Sequence, residues 1–139
     1  MLSRGGIVAI VVGSIVYWVL EGLMYGMVLA DSMKSAMEAY SSVMNPPDDG
    51  NMFIWFVPTT LAALLLMWLG SRSTVTIGGM ATMGAVLYGA FCFMMEFSMS
   101  IGMVNYPFMS WSIMAIGWEI VAGGIVGAAM GFVYTKLNP

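Results

Sequence analysis

Four long apolar stretches, at residues 6–30, 53–70, 75–103 and 111–134, decide what this chain can fold into. A hydrocarbon core takes about 20 apolar residues to cross as a helix. Inside lipid a segment must also satisfy its own backbone N–H and C=O groups, which a helix does without help from neighbours. The stretches predict an all-α integral membrane four-helix bundle, with residues 1–139 forming a single transmembrane domain. The second stretch is the shortest. It opens on Phe53, Trp55 and Phe56 and carries Pro58 in its first turns, where a missing N–H does least harm. The third is long enough to tilt or to project beyond the bilayer. Arg4 followed by an apolar run ending in Val28-Leu29-Ala30 resembles a cleavable signal. The run is too long for one and Glu21 interrupts it, so a retained helix is expected.

Composition agrees and excludes several classes. The chain is 60% hydrophobic and 8% charged, against roughly a quarter charged in a soluble domain. Seven acids against four bases leave a net charge of −3, so nothing here could neutralise a row of phosphates, and no nucleic-acid partner is expected. With no histidine, His-ligated haem and the common zinc triads are out. Cys92 is the sole cysteine, which removes internal disulfides, CxxC pairs and thiolate cages. In its apolar run it reads as a small packing residue.

The basic residues set the expected orientation. Arg4, Arg72 and Lys136 fall on one side of an even-span topology, and only Lys34 falls on the other. The positive-inside rule makes the first side, with both termini, cytoplasmic, in what reads as a bacterial or archaeal inner membrane. The outer loop, 31–52, also holds Asp31, Glu38, Asp48 and Asp49. Asp31 or Ser32 can cap a helix. Met33, Met37, Tyr40 and Met44 then recur at helical spacing until Asn45-Pro46-Pro47 stops it. This predicts a short amphipathic helix on the outer surface or over the bundle mouth.

Small residues mark where helices can meet closely. Gly123, Gly127 and Gly131 recur every fourth residue in the fourth span, Ala81, Ala85, Gly89 and Cys92 form a stripe in the third, and Gly22, Gly26 and Ala30 lie in the first. Such spacing lets backbones approach until dispersion contacts hold them. It does not distinguish contacts within a chain from contacts between chains.

Three acids lie inside these spans, and no base does: Glu21, Glu96 and Glu119. A carboxylate at membrane depth is expensive unless paired, protonated or solvated. Counted from the outer span ends at about 1.5 Å per residue, all three lie roughly 10–14 Å deep. Glu119 heads the row of Gly123, Gly127 and Gly131. Glu96 continues the row of Gly89 and Cys92, and Tyr17 and Tyr25 flank Glu21 by one turn each way. All three therefore point inward, and carboxyls sharing a low-dielectric site hold protons and titrate as a unit. Such a site can bind a proton or a cation. Structural hydrogen bonding between helices, or contact with bases on another subunit, are the competing uses.

Seventeen methionines are an unusual number. Met24 and Met27 lie near Glu21, while Met95, Met99 and Met103 lie near Glu96. Thioethers suit Cu(I), so a Met/Glu copper site is one reading. The other is gap-filling in an apolar bundle, which their spread over every span favours, and no cofactor is otherwise implied. Trp55, Tyr106 and Trp111 read as outer interface anchors, Trp68 and Tyr134 as inner ones. Trp18 and Trp118 each sit close to a buried Glu, where they could wall a cation site or simply pack.

Glu96-Phe97, Asn105-Tyr106-Pro107-Phe108 and Trp118-Glu119 with its glycine row resemble motifs of uncharacterised four-span bacterial membrane proteins, known as domains of unknown function. The resemblance covers about half the chain, implies the same fold and orientation, and brings no activity. Two functions fit the residues. One is a small cation- or proton-binding membrane protein, a transporter acting as an oligomer, with Glu21, Glu96 and Glu119 as its site. The other is a non-catalytic accessory subunit of a larger membrane complex. No nucleophile–base pair or phosphate loop supports an enzyme. A reporter that matures only in the cytoplasm is expected to be active when fused after Lys136 and inactive when inserted within 31–52. The opposite pattern would reverse the orientation.

Overall fold

The computed structural model describes residues 3–40 and 56–138, and these are helical with no strand. Helix α1, Arg4–Leu23, runs on through a π-helical turn at Met24–Val28. It is followed by α2, Ala30–Met37, and a 3₁₀ turn at Glu38–Tyr40. Then come α3, Phe56–Gly70, and α4, Ile77–Gly102. A second π-helical turn at Phe108–Ser112 leads into α5, Ile113–Leu137. Three continuous segments, Arg4–Val28, Ile77–Gly102 and Phe108–Leu137, are long and apolar enough to cross a membrane. The apolar α3 is shorter, and the first three residues of the stretch that predicted it, 53–55, lie outside the described residues.

Local chemistry explains where these helices begin and end. The Ser3 and Thr76 side chains accept hydrogen bonds from the backbone N–H of Gly6 and Gly79, at 3.1 and 3.0 Å, capping α1 and α4. The chain leaves α4 at Met103 in extended geometry, and Asn105 then takes a left-handed φ of 58°, which Asn tolerates better than most residues. Pro107 precedes the π-helical turn that opens the last segment. Within the helices, the buried Ser14 hydroxyl donates to the Ile10 carbonyl at 2.8 Å, so it needs no partner from another helix.

Helix α5 is the centre of the bundle because two adjacent rows of its residues are buried. One row, Ala115, Glu119, Gly123, Gly127 and Gly131, includes the glycines that face α4. In the other, Val126 and Met130 join Ala9 and Ile10 of α1 and Ala63, Leu66 and Met67 of α3. A Cβ on Gly123 or Gly84 would run into the other's backbone, one on Gly127 into the Met80 carbonyl, and one on Gly131 into Ile77. The glycines let the two helices touch main chain to main chain.

The rows used by α4 and α1 differ from those expected. The centre of the α4 contact is Met80, Gly84 and Tyr88, while Ala85 and Gly89 flank it on Gly124 and Ile120. Residues one apart lie about 100° apart around a helix, and an interface this close spans both rows. On α1, Gly22 and Gly26 meet nothing within 4 Å. The packed face is Gly6, Ala9, Ile10, Gly13 and Ser14, with Met130 filling the notch at Gly13. Exposed apolar side chains such as Ile7, Leu61, Val86 and Ile125 occur on α1, α3, α4 and α5.

A helix is present at Ala30–Met37, within the stretch where the methionine spacing predicts one. Leu29 occupies the cap position without a side-chain bond, and Asp31 sits in the first turn, where its charge complements the helix dipole. Leu29, Met33 and Ala36 pack with Trp111, and the Tyr40 hydroxyl donates to the Val104 carbonyl at 2.7 Å. Met44 and the Asn45-Pro46-Pro47 stop lie outside the described residues.

Gly123→Leu should destabilise the protein by about 3 kcal/mol or more, because a large side chain there is driven into backbone. Gly117→Ala, at a glycine with open space around it, should be neutral. Unfolding in detergent titrated with dodecyl sulfate measures both.

Candidate functional site

The antiparallel register of α4 and α5 fixes the depth of each candidate residue. Gly84 meets Gly123 and Gly89 meets Ile120, while Ser112 bonds Glu96. Tyr88 and Gly89 therefore stand level with Glu119 and Ile120. Glu96 stands level with Ser112, seven residues earlier in the last segment, and so roughly 10 Å nearer the α2 end of the bundle. The three acids do not share one level.

Glu21 and Glu119 come together. Their carboxyls lie within electrostatic reach of each other, and Glu119 is only 7% exposed. The bonds around them cross between helices: Tyr17 of α1 donates its hydroxyl to Glu119 Oε2 at 2.8 Å, and Trp118 of α5 donates Nε1–H to Glu21 Oε1 at 2.9 Å. Two ionised carboxylates have only acceptors to offer each other, so a bond between them takes a proton on one. Tyr17 was expected to serve Glu21 and serves Glu119 instead. It starts one turn further in on α1, which points it at the level where α5 presents Glu119.

Glu96 has a separate shell. The Tyr106 hydroxyl at 2.6 Å and the Ser112 hydroxyl at 2.5 Å both donate to its Oε2. Burial, with the bond to Glu96, pushes the Tyr106 hydroxyl well above the usual phenol range, so it stays a donor. Between this shell and the carboxyl pair lie Tyr25 and Cys92, each within electrostatic reach of all three acids. The Tyr25 ring also packs on Trp111, 6.0 Å between centroids.

Other candidates fall elsewhere. Met99 is 39% exposed and Met95 and Met27 more so, turned away from the carboxyls, while Met24 packs against the Leu29 and Trp111 cluster. The row of Glu96 turns inward, and its neighbours on α4 at other angles cannot follow. Among the described residues no three acidic, His or Cys side chains converge as metal ligands. Trp18 meets Phe56 edge-on at 6.4 Å. Trp111, expected as a surface anchor, is 4% exposed, because α2 folds back over it. At the other end Arg72 lies over the Trp68 ring at 4.6 Å and Lys136 over Phe132 at 5.8 Å.

Two participants were missed by reading the sequence. Ser112 and Tyr88 are hydroxyl residues within apolar runs, and that is the signal that could have found them. Tyr88 packs its ring on Tyr17, 4.6 Å between centroids, at the level of the carboxyl pair. Compared with known proteins, the chain matches no family model, no curated protein and no solved structure.

Ser112→Ala removes one of the two donors to Glu96 and should cost about 1–3 kcal/mol, read as a lower thermal midpoint. Ser110→Ala, whose hydroxyl bonds only the nearby Pro107 carbonyl, should leave the midpoint in place.

Proposed function

We propose that this chain is a small polytopic membrane protein whose Glu21–Glu119 pair binds and releases a proton or cation within the bilayer, acting as a small transporter. In this reading α1, α3, α4 and α5 cross the membrane with both termini cytoplasmic. The protein works in the lipid bilayer as a homo-oligomer or within a larger membrane complex. The observation that carries it is the convergence of two carboxyls, each held by a donor from the other's helix, Tyr17 to Glu119 and Trp118 to Glu21. With one proton between them the pair holds one negative charge, and α1, α3, α4 and α5 place no Lys or Arg at its depth. A buried charge of this kind favours uptake of one more positive charge, so the site has two states of occupancy.

Its surroundings differ toward the two ends of the bundle. Toward the α2 end lie Tyr25, Cys92, Ser112, Glu96 and Tyr106, which offer oxygen and sulfur atoms. Toward the termini lies a dry layer of Ala9, Ile10, Ala63, Leu66, Met67, Val126 and Met130. A cation arriving from the α2 end meets polar atoms on the way, and one from the other end meets a wall. The two π-helical turns stand next to Glu21 and at Ser112, and such turns are common where helices adjust for function.

The test is proton flux in liposomes carrying the purified protein and an internal pH dye. Glu119→Gln and Glu21→Gln keep side-chain volume and hydrogen bonding, and each should cut flux by about tenfold or more while circular dichroism stays unchanged. Undiminished flux in both variants would sink the transporter reading. Absence of wild-type flux, with other membrane subunits travelling through purification, would favour the accessory-subunit role.

A further inference from the structure

Tyr88 takes no part in the hydrogen bonds around the carboxyls. It is 3% exposed, and its hydroxyl is the only buried side-chain N or O among the described residues with no hydrogen-bond partner. An unpaired phenol in an apolar interior is costly. Its Cβ lies where a Cβ of Gly123, one turn from Glu119, would touch it. Its ring lies on that of Tyr17, and its hydroxyl is within electrostatic reach of Glu119 and Glu21. The phenol oxygen and the carboxyl pair therefore belong to one buried layer.

Charge and donor type say what this layer can take. The titratable groups facing it are Tyr17 and Glu21 from α1, Tyr25 from the π-helical turn after it, Tyr88 and Cys92 from α4, and Glu119 from α5. Helix α3 brings none, and Glu96 stands further out. A pair sharing one proton carries a single negative charge, which one monovalent cation balances with the shared proton kept. A divalent ion would have to expel that proton. The donors at the pair are carboxyl and phenol oxygens, which suit hard cations and not Cu(I).

We infer that Tyr88 Oη and the Glu21 and Glu119 carboxyl oxygens form a site for one alkali cation of the sodium class, which competes there with a second proton. This rests on the reading of the pair as a proton or cation site and names its ligand class.

The test is thermal unfolding of the full chain in detergent, in sodium chloride against choline chloride at equal ionic strength. Sodium should raise the midpoint at about pH 8 and lose that effect by about pH 5, where the second proton fills the site. Tyr88→Phe keeps the ring and should raise the half-effective sodium concentration about tenfold or more, the scale of losing one group that supports a metal. Glu119→Gln should abolish the sodium effect. If Tyr88→Phe does not fold, sodium-NMR line broadening on the wild type decides, being expected at the higher pH and lost at the lower. Equal midpoints in sodium and choline, a Tyr88→Phe response like wild type, or stabilisation by magnesium or calcium in place of sodium each overturn the inference. A missing sodium effect alongside a Glu119→Gln loss of proton flux would remove the alkali site and leave the proton site standing. Undiminished flux in both Gln variants would remove the underlying reading as well.

Discussion

Two carboxyls in contact, inside a bundle with no base at their depth, impose the condition that the rest of this structure meets. Both cannot be ionised there, since adjacent like charges in low dielectric repel strongly. The fold answers with donors from opposite helices. Helix α1 supplies Tyr17 to the carboxyl on α5, and α5 supplies Trp118 to the carboxyl on α1. This crossing is possible because Glu119 lies at the boundary between the two buried rows of α5. One of these rows meets α4 at the glycines and the other meets α1 and α3.

The glycine row and the carboxyl pair are parts of one arrangement. Main-chain contact at Gly84, Gly123 and Gly127 draws α4 onto α5, and this brings the Tyr88 ring onto Tyr17. A helix pair held apart by larger side chains would leave room at this level for lipid tails or water. The close approach shields the pair and raises the electrostatic weight of every group around it. The apolar clusters then divide at this layer, the larger one toward the termini and the smaller one, around Trp111, toward α2.

Much of this was legible in the residues. The glycine repeat in the fourth span pointed to a close helix contact, and it placed Glu119 at the head of that face. Apolar lengths gave the helices to within a few residues. The common depth of three acids was not legible. Counting inward from span ends assumes regular helices, and π-helical turns at Met24–Val28 and Phe108–Ser112 shift what stands opposite what. The second of these carries Ser112 alongside Glu96, so Glu96 acquires a shell of its own. The glycines of α1 misled for a different reason. Gly22 and Gly26 have helical spacing, but the face that includes Gly13 and Ser14 is the one turned to α3 and α5. A small residue shows where approach is permitted, and the partner decides whether it happens.

The crossed bonds tie the two carboxyls to the spacing of α1 and α5. With one proton, the pair pulls α1 and α5 together. With none, the same two groups repel across the same gap. The N-terminal half of α1 is held by Met130 in the notch at Gly13, and the buried residues of α1 all lie between Gly5 and Ser14. Beyond Glu21 the π-helical turn at Met24–Val28 has no buried residue. Any strain arising at the pair therefore meets a clamped helix on one side and a loosely packed one on the other. The softer side is the one that leads past Tyr25 to Glu96. The less enclosed part of the first helical segment is thus the part beyond Glu21, on the side of Tyr25 and Glu96.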